Sequence, residues 1–154
     1  MFGRKKDKDA QYEWDPQLGA ELERVGALSL PDLAAEVMAK GFNYERPPGD
    51  SGVGIDGITD AFSASPQWRV RDSTVHAQVR AAKEAEDPAS DRYKWLQLKD
   101  IVTEGVQALE KALLVNQTSQ FSGVATDIGY VATREGREAR QANTVASIVA
   151  RVTP

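Results

Sequence analysis

The chain contains no cysteine among its 154 residues. This absence excludes a disulfide framework, a zinc site built on thiolates and a cysteine nucleophile. Histidine is almost as scarce, because His76 is the only one. A single imidazole cannot make a histidine-rich metal site. We therefore expect neither a metal ion nor another cofactor.

Long apolar runs and a net positive charge are also lacking. No stretch approaches the roughly 18 uninterrupted apolar residues that a membrane span requires, and no apolar segment follows the basic residues at the start of the chain. The sequence therefore predicts a cytoplasmic protein outside the membrane, with residues 1–12 as a disordered tail. Because the formal net charge is −4, an overall attraction to nucleic acid is not built into the chain.

The composition that remains is that of a folded domain. Hydrophobic residues make up 41% of the chain and charged residues 27%, which is typical of globular proteins. The length suits one domain with its own core, and we assign residues 13–154 to it. Trp14, Trp68 and Trp95 are the expected aromatic anchors of that core.

Apolar residues at helical spacing predict two helices near the start of the domain. The first covers about residues 16–27. The second begins after Ser29, a good N-cap with Asp32 three residues on, and Gly41 is a suitable stop. Residues 43–57 then predict a loop, because they contain two prolines and several glycines.

The middle of the chain gives weaker signals. We expect a short helix over residues 58–65, followed by a strand or an extended connection at residues 67–74. A helix capped by Ser73 or Thr74 comes next, with Val75 and Val79 facing inward. Pro88 ends this helix.

The strongest helical signal lies in residues 92–113. Apolar residues recur there at steps of three and four, which is typical of an amphipathic helix. These residues are Trp95, Leu98, Val102, Val106, Leu109 and Leu113.

Two β-rich runs follow, around a turn at Ser122-Gly123, and predict a hairpin. Thr133 is expected to cap a last helix that starts at Arg134. This helix could pack against the body of the domain or against a second chain. The apolar positions available for that contact are Ala139, Ala142, Val145, Ile148, Val149 and Val152.

The residues around the predicted hairpin form a recognisable combination. Leu109-Glu110 lies near the end of the long helix, Leu114-Val115 opens the first strand, and the second strand leads into YVATREGREA, residues 130–139. In that segment Gly136 allows the last helix to lie close to its neighbour. With this order, residues 95–142 resemble the C-terminal half of a winged-helix domain of PadR-type and MarR-like bacterial transcriptional regulators.

The resemblance implies a fold that is mainly α with a small β-hairpin. It is a winged helix-turn-helix-like α+β domain with extra N-terminal helices, whose winged-helix-like part covers about residues 92–142. It also implies a dimeric DNA-binding regulator of transcription. The recognition helix of such proteins enters the major groove, and the wing, here residues 116–128, touches phosphates.

Double-stranded DNA is the implied partner, and the last helix is the candidate contact for a homodimer. Carried over to this sequence, the polar outward positions of helix and wing become the DNA contacts. The candidate DNA-binding residues are Lys99, Thr103, Gln107, Asn116, Gln117, Thr118 and Arg134.

Two features of the sequence depart from the regulators it resembles. Leu113 stands where a glycine usually precedes the leucine-valine pair. Residues 94–140 contain six basic and six acidic side chains, whereas a protein that neutralises roughly six to ten phosphates usually has an excess of lysine and arginine. The alternative is therefore a non-catalytic protein–protein interaction module that uses a winged-helix scaffold.

An enzyme is a third alternative with less support. GDSGV at residues 49–53 resembles the nucleophile motif of chymotrypsin-like proteases, but that family places its histidine before the motif and His76 follows it. No arrangement of nucleophile and base is visible in the sequence. We therefore predict that the protein is not an enzyme.

Overall fold

Helices dominate the structure, and one small antiparallel hairpin accompanies them, as predicted. The structure is a computed structural model that describes residues 17–42, 52–62, 75–122 and 125–153. The predicted tail, the predicted strand at residues 67–74, the candidate caps Ser73 and Thr74, and both Trp14 and Trp68 lie outside these ranges. No helix within them is both long and apolar enough to cross a membrane.

The elements of the described ranges follow one another with short connections. Two of them correct the sequence-based predictions. The third helix begins at Ile55, inside the segment predicted as a loop, and the predicted last helix is two helices. The elements are α1 (Leu18–Gly26), α2 (Leu30–Gly41), α3 (Ile55–Asp60), α4 (Val75–Glu86), α5 (Asp91–Lys111), β1 (Val115–Ser122), β2 (Ala125–Ala132), α6 (Arg134–Ala142) and α7 (Val145–Val152).

Helix α2 begins as its sequence predicts. The Ser29 hydroxyl accepts a hydrogen bond from the Asp32 backbone N–H at 3.3 Å, which satisfies one of the otherwise unpaired amides of the first turn. The end differs from the prediction, because Gly41 is the last helical residue and Phe42 is the cap. A Cβ on Gly41 would lie 2.9 Å from Ile58 Cγ2 of α3, so this glycine serves the packing of two helices.

Helix α5 is the centre of the core. Its predicted apolar stripe is buried from Trp95 to Leu109, and α1, α2, α3 and α4 all pack against it. Gly105 permits a close contact with α2, since a Cβ there would lie 2.8 Å from Val37 Cγ2. Val79 on α4 was predicted to face inward, but its side chain is exposed.

The end of α5 shows how the chain stops a helix without glycine. Leu113 adopts a positive φ of 62° in the left-handed region that normally favours glycine. Its N–H donates to the Glu110 carbonyl at 3.0 Å, and the Leu114 N–H donates to the Leu109 carbonyl at 2.9 Å. These two bonds form a Schellman motif. The Leu113 side chain is 71% exposed, so its predicted place in the buried stripe is wrong.

The hairpin pairs β1 with β2 over their full length, from Val115 opposite Ala132 to Ser122 opposite Ala125. Residues 123–124, which connect the strands, lie outside the described residues. On its other side, β2 forms an antiparallel bridge with Val53. Val53 N–H donates to the Tyr130 carbonyl at 2.9 Å, and Tyr130 N–H donates to the Val53 carbonyl at 2.8 Å. Strand β2 therefore lies between β1 and the segment that leads into α3.

Helix α6 begins at the predicted cap and lies very close to the α5–β1 connection. The Thr133 hydroxyl accepts from the Gly136 N–H at 2.9 Å and donates to the Leu113 carbonyl at 2.9 Å. A Cβ on Gly136 would lie 2.9 Å from the Leu114 carbonyl carbon and would overlap its oxygen. Glycine is therefore required at this position by a backbone contact, as the sequence predicted.

The predicted last helix is divided at Asn143. This residue adopts a φ of 58°, which asparagine tolerates better than most residues, and the Thr144 N–H donates to the Ala139 carbonyl at 2.9 Å. The chain then turns and α7 packs on α2. Val145 and Val149 are buried in the chain itself, whereas the predicted apolar contacts Ala142 and Val152 are exposed.

We expect Leu113→Gly to raise the free energy of unfolding by about 1 kcal/mol, because glycine adopts a positive φ without the steric cost that leucine pays. Leu113→Ala is the matched control. It removes most of the same exposed side chain but keeps the cost, so it should not stabilise the fold. Denaturant titration of the three proteins measures the differences. Equal stability of the two variants would show that this backbone conformation costs nothing here.

We expect Gly136→Ala to lower the free energy of unfolding by about 1–3 kcal/mol, because the added methyl group must displace backbone atoms. Gly19→Ala is the control, since within the described ranges a Cβ at Gly19 would meet only the Lys94 Nζ, at 4.0 Å. That variant should gain about 0.5–1 kcal/mol from the higher helix propensity of alanine. A melting temperature for Gly136→Ala at or above the wild-type value would contradict the close contact.

Candidate interaction surface

The residues predicted to contact DNA lie on α5, on β1 and at the start of α6. Those on α5 are Lys99, Thr103 and Gln107, which are four residues apart and follow one line along the helix. Their surroundings change along that line, because Lys99 and Thr103 are partly buried and Gln107 is exposed. The Thr103 hydroxyl donates to the Lys99 carbonyl at 2.7 Å, so it is engaged within its own helix.

Lys99 is tied to α3. Its Nζ lies 2.9 Å from Asp56 Oδ1 and 5.8 Å from the centre of the Trp95 ring. The side chain is only 37% exposed. The ammonium charge is therefore balanced by a neighbouring carboxylate, and Lys99 connects two helices of the chain itself.

A second polar contact joins the same two helices. The buried Trp95 side chain donates its indole N–H to Asp60 Oδ1 at 2.9 Å. Trp95 and Lys99 are four residues apart on α5, and Asp56 and Asp60 are four residues apart on α3, so their order requires the helices to run in opposite directions. We call these four residues the α3–α5 ladder. In the sequence, only the matched four-residue spacings point to this contact. Because Asp56 was predicted to lie in a loop, the contact was not predicted.

Helix α3 is part of the core and covers one side of α5. Ile58 and Thr59 are fully buried, and the Thr59 hydroxyl donates to the Ile55 carbonyl at 2.8 Å. Just beyond the helix, Phe62 is buried, and the Lys40 Nζ lies 4.7 Å from the centre of its ring. The part of α5 around Lys99 is therefore an internal contact surface.

The exposed edge of α5 carries a negative balance. It includes two carboxylates, one amine and two amides, none of which is buried. These residues are Gln97, Asp100, Glu104, Gln107 and Lys111. Since contacts with duplex DNA depend mainly on cations placed against phosphates, this edge is poorly suited to approach a nucleic acid.

The candidate residues on β1 do not form one surface. Successive side chains of a strand point to opposite faces, so Asn116 and Thr118 lie on one face of the hairpin and Gln117 lies on the other. Asn116 and Gln117 are exposed and Thr118 is partly buried. Gln117 shares its face with Tyr130, directly opposite on β2, and the two side chains are hydrogen bonded.

Tyr130 anchors the base of the hairpin. Its side chain is buried, and this burial raises the pKa of the hydroxyl above its ordinary value. The negative charge of Glu110 raises the pKa further, while the hydrogen bond with Gln117 acts in the opposite direction. The phenol therefore stays neutral at physiological pH, and Tyr130 belongs to the buried core.

The arginines of α6 differ in the contacts that they make with the rest of the chain. Arg134 is 81% exposed and pairs with Glu138 at 3.1 Å. Arg137 donates to the Ala132 carbonyl at 3.0 Å. Arg140 donates to two carbonyls in the last turn of α2, at 3.3 and 3.1 Å, where a cation also complements the helix dipole. The ion pair of Arg134 thus stays within α6, whereas Arg137 and Arg140 donate to other parts of the fold.

A double-mutant cycle of Lys99→Ala and Asp56→Ala should give a coupling free energy of about 0.2–1 kcal/mol, as found for partly exposed ion pairs. The coupling should shrink in high salt because the pair is screened. Lys111→Ala is the control, and it should show no coupling to Asp56→Ala. Zero coupling for Lys99 would mean that its ammonium group is available to an outside partner.

The chain was compared with models of known protein families, with curated proteins and with solved structures. None of the three comparisons gives a match. What the surface of α5 and the hairpin does must therefore follow from its own contacts and charges.

Proposed function

We propose that the chain is a winged-helix-like protein that acts as a non-catalytic interaction module and binds a protein partner. The scaffold is supported by the order of α5, hairpin and α6 and by the two signals at their junction, the Thr133 cap and the Gly136 contact. Partner binding is favoured over DNA binding by the charges that this scaffold presents.

One observation carries the choice of partner. The lysine best placed to meet a phosphate, Lys99, is paired with Asp56, and the exposed edge beside it carries Asp100 and Glu104. The two strands of the hairpin add one aspartate and no lysine or arginine. A duplex would meet a neutral to negative surface, whereas the centre of a protein interface is commonly depleted of charged residues.

Exposed apolar side chains near the hairpin support the same reading. Leu113, at the base of β1, and Ile128, on β2, are 71% and 54% exposed. Leu113 also holds its positive φ at a steric cost that a glycine would avoid. A costly backbone conformation that displays an apolar side chain is consistent with a role in contact with a partner.

A DNA-binding regulator of transcription is the second candidate. It is favoured by the resemblance of residues 95–142 and by the exposed side chains of Gln107, Asn116, Gln117 and Arg134. Amide side chains can read adenine in the major groove, and an exposed arginine can contact phosphate. The dimer contact implied through the last helix is weakened, because the apolar face of α7 is buried in its own chain.

Fluorescence anisotropy with a labelled random duplex of about 30 base pairs separates the two candidates. We expect no binding at about 50 mM salt, where attraction to phosphates is least screened. A DNA-binding protein with six to ten phosphate contacts would instead bind there and lose about 10³–10⁵ in affinity by 200 mM. A salt-dependent loss of this size would contradict the interaction module and support the DNA-binding regulator.

Two variants make the result specific. If duplex binding occurs, Arg134→Ala should weaken it and reduce the salt slope by about one unit, as expected for a lost phosphate contact. Lys99→Ala should leave binding unchanged and act on stability alone, because its ammonium group pairs with Asp56. Weaker duplex binding by Lys99→Ala with unchanged stability would contradict the assignment of Lys99 as an internal contact.

A further inference from the structure

Strand β1 has an outer edge that faces away from β2. Both backbone hydrogen bonds of Tyr130 go to Val53, so Tyr130 and its β1 neighbour Gln117 form a non-hydrogen-bonded pair. The backbone groups of Gln117, and of Ser119 and Phe121 at the same alternation, consequently point outward. No residue in the described ranges pairs with this edge of β1.

The sequence of β1 carries none of the usual protections against pairing. Proteins commonly guard an exposed strand edge with lysine, proline, a bulge or a very short strand. Strand β1 is eight residues long, VNQTSQFS, with no charged residue and no proline. Its register with β2 is continuous from end to end, so no bulge interrupts it. In a chain of which 27% is charged, this uncharged edge is well suited to strand pairing.

We infer that two copies of the chain pair through the outer edges of β1, as antiparallel strands related by a two-fold axis. Val115 shares this alternation but is fully buried. The other three outward positions overlap fully when Ser119 faces Ser119 of the second copy and Gln117 faces Phe121. Each such pair exchanges two N–H···O bonds, which gives about six backbone hydrogen bonds across the axis. The contact is isologous, the commonest kind in dimers.

The absence of charge on β1 makes a second copy a suitable occupant. The residue on a two-fold axis faces the same residue of the second copy, and like charges directly opposite each other across a sheet are destabilising. A strand without charged residues avoids this penalty when it meets itself. The alternative surface for self-association, the apolar face of α7, is already covered, since Val145 and Val149 are buried within the chain.

The inference does not depend on the proposed function, because β1 can pair whether α5 and the hairpin face a protein or DNA. It is tested by sedimentation equilibrium of the full chain over a wide concentration range. We expect a reversible monomer–dimer equilibrium. Ser119→Glu and Ser119→Lys should each weaken the dimer by at least about tenfold, because two like charges then meet on the axis.

Mixing the two variants in equal amounts should restore the dimer, since a glutamate then faces a lysine. The matched control is the same pair of substitutions at Asn116, an exposed position of β1 that does not face itself in the inferred register. Each Asn116 variant alone should still form the dimer. Circular dichroism and melting temperature confirm that every variant is folded.

Gln117→Pro provides a second variant if the charged substitutions disturb folding. The Gln117 N–H points away from β2, so proline removes a backbone bond across the axis and no backbone bond within the hairpin. Gln117→Ala, which also loses the side-chain bond to Tyr130, is its control and should still form the dimer. A wild-type chain that stays monomeric at every concentration overturns the inference and leaves the edge to an extended segment of another protein. A Ser119→Glu dimer of wild-type affinity also overturns it, because self-association would then use another surface.

Discussion

The arrangement of the C-terminal half depends on one backbone contact, between the first turn of α6 and the connection from α5 to β1. Thr133 donates its N–H to the Leu114 carbonyl and its hydroxyl to the Leu113 carbonyl, while accepting from Gly136. The end of α5, the start of β1, the end of β2 and the start of α6 therefore meet at one point. A side chain at Gly136 would overlap the Leu114 carbonyl oxygen, so the contact tolerates glycine alone. With this junction fixed, α6 brings Arg140 to the end of α2.

The α3–α5 ladder determines which charges the surface of α5 exposes. It holds a short helix against α5 through Asp56 and Asp60, and the buried side chains of Ile58 and Phe62 add apolar contact. Because Lys99 pairs with Asp56 in this contact, its charge is balanced within the chain. Local pairing thus decides what the surface offers to a partner more than the net charge does.

Local signals in the sequence predicted much of the fold. The caps Ser29 and Thr133, the stripe of α5 and the two runs of the hairpin are each read within a few neighbouring residues. All were confirmed except the last position of the stripe, Leu113, which is exposed. The close approach at Gly136 was predicted from a glycine in a helical first turn. The candidate site was predicted less well, because outward-facing polar spacing on a helix does not show which other element covers it.

The sequence by itself determined the helical character of the chain, the hairpin and the neutral balance of charges around them, since each depends on composition or on near neighbours. Tertiary structure decided the rest. Asp60 and Trp95 are 35 positions apart, and Arg140 and the Met38 carbonyl are 102 apart, so near neighbours in the sequence do not identify the partner in either pairing. The positive φ of Leu113 and Asn143 likewise follows from where the next element must pack, because only the burial and hydrogen bonding of that element can offset the steric cost of such a conformation.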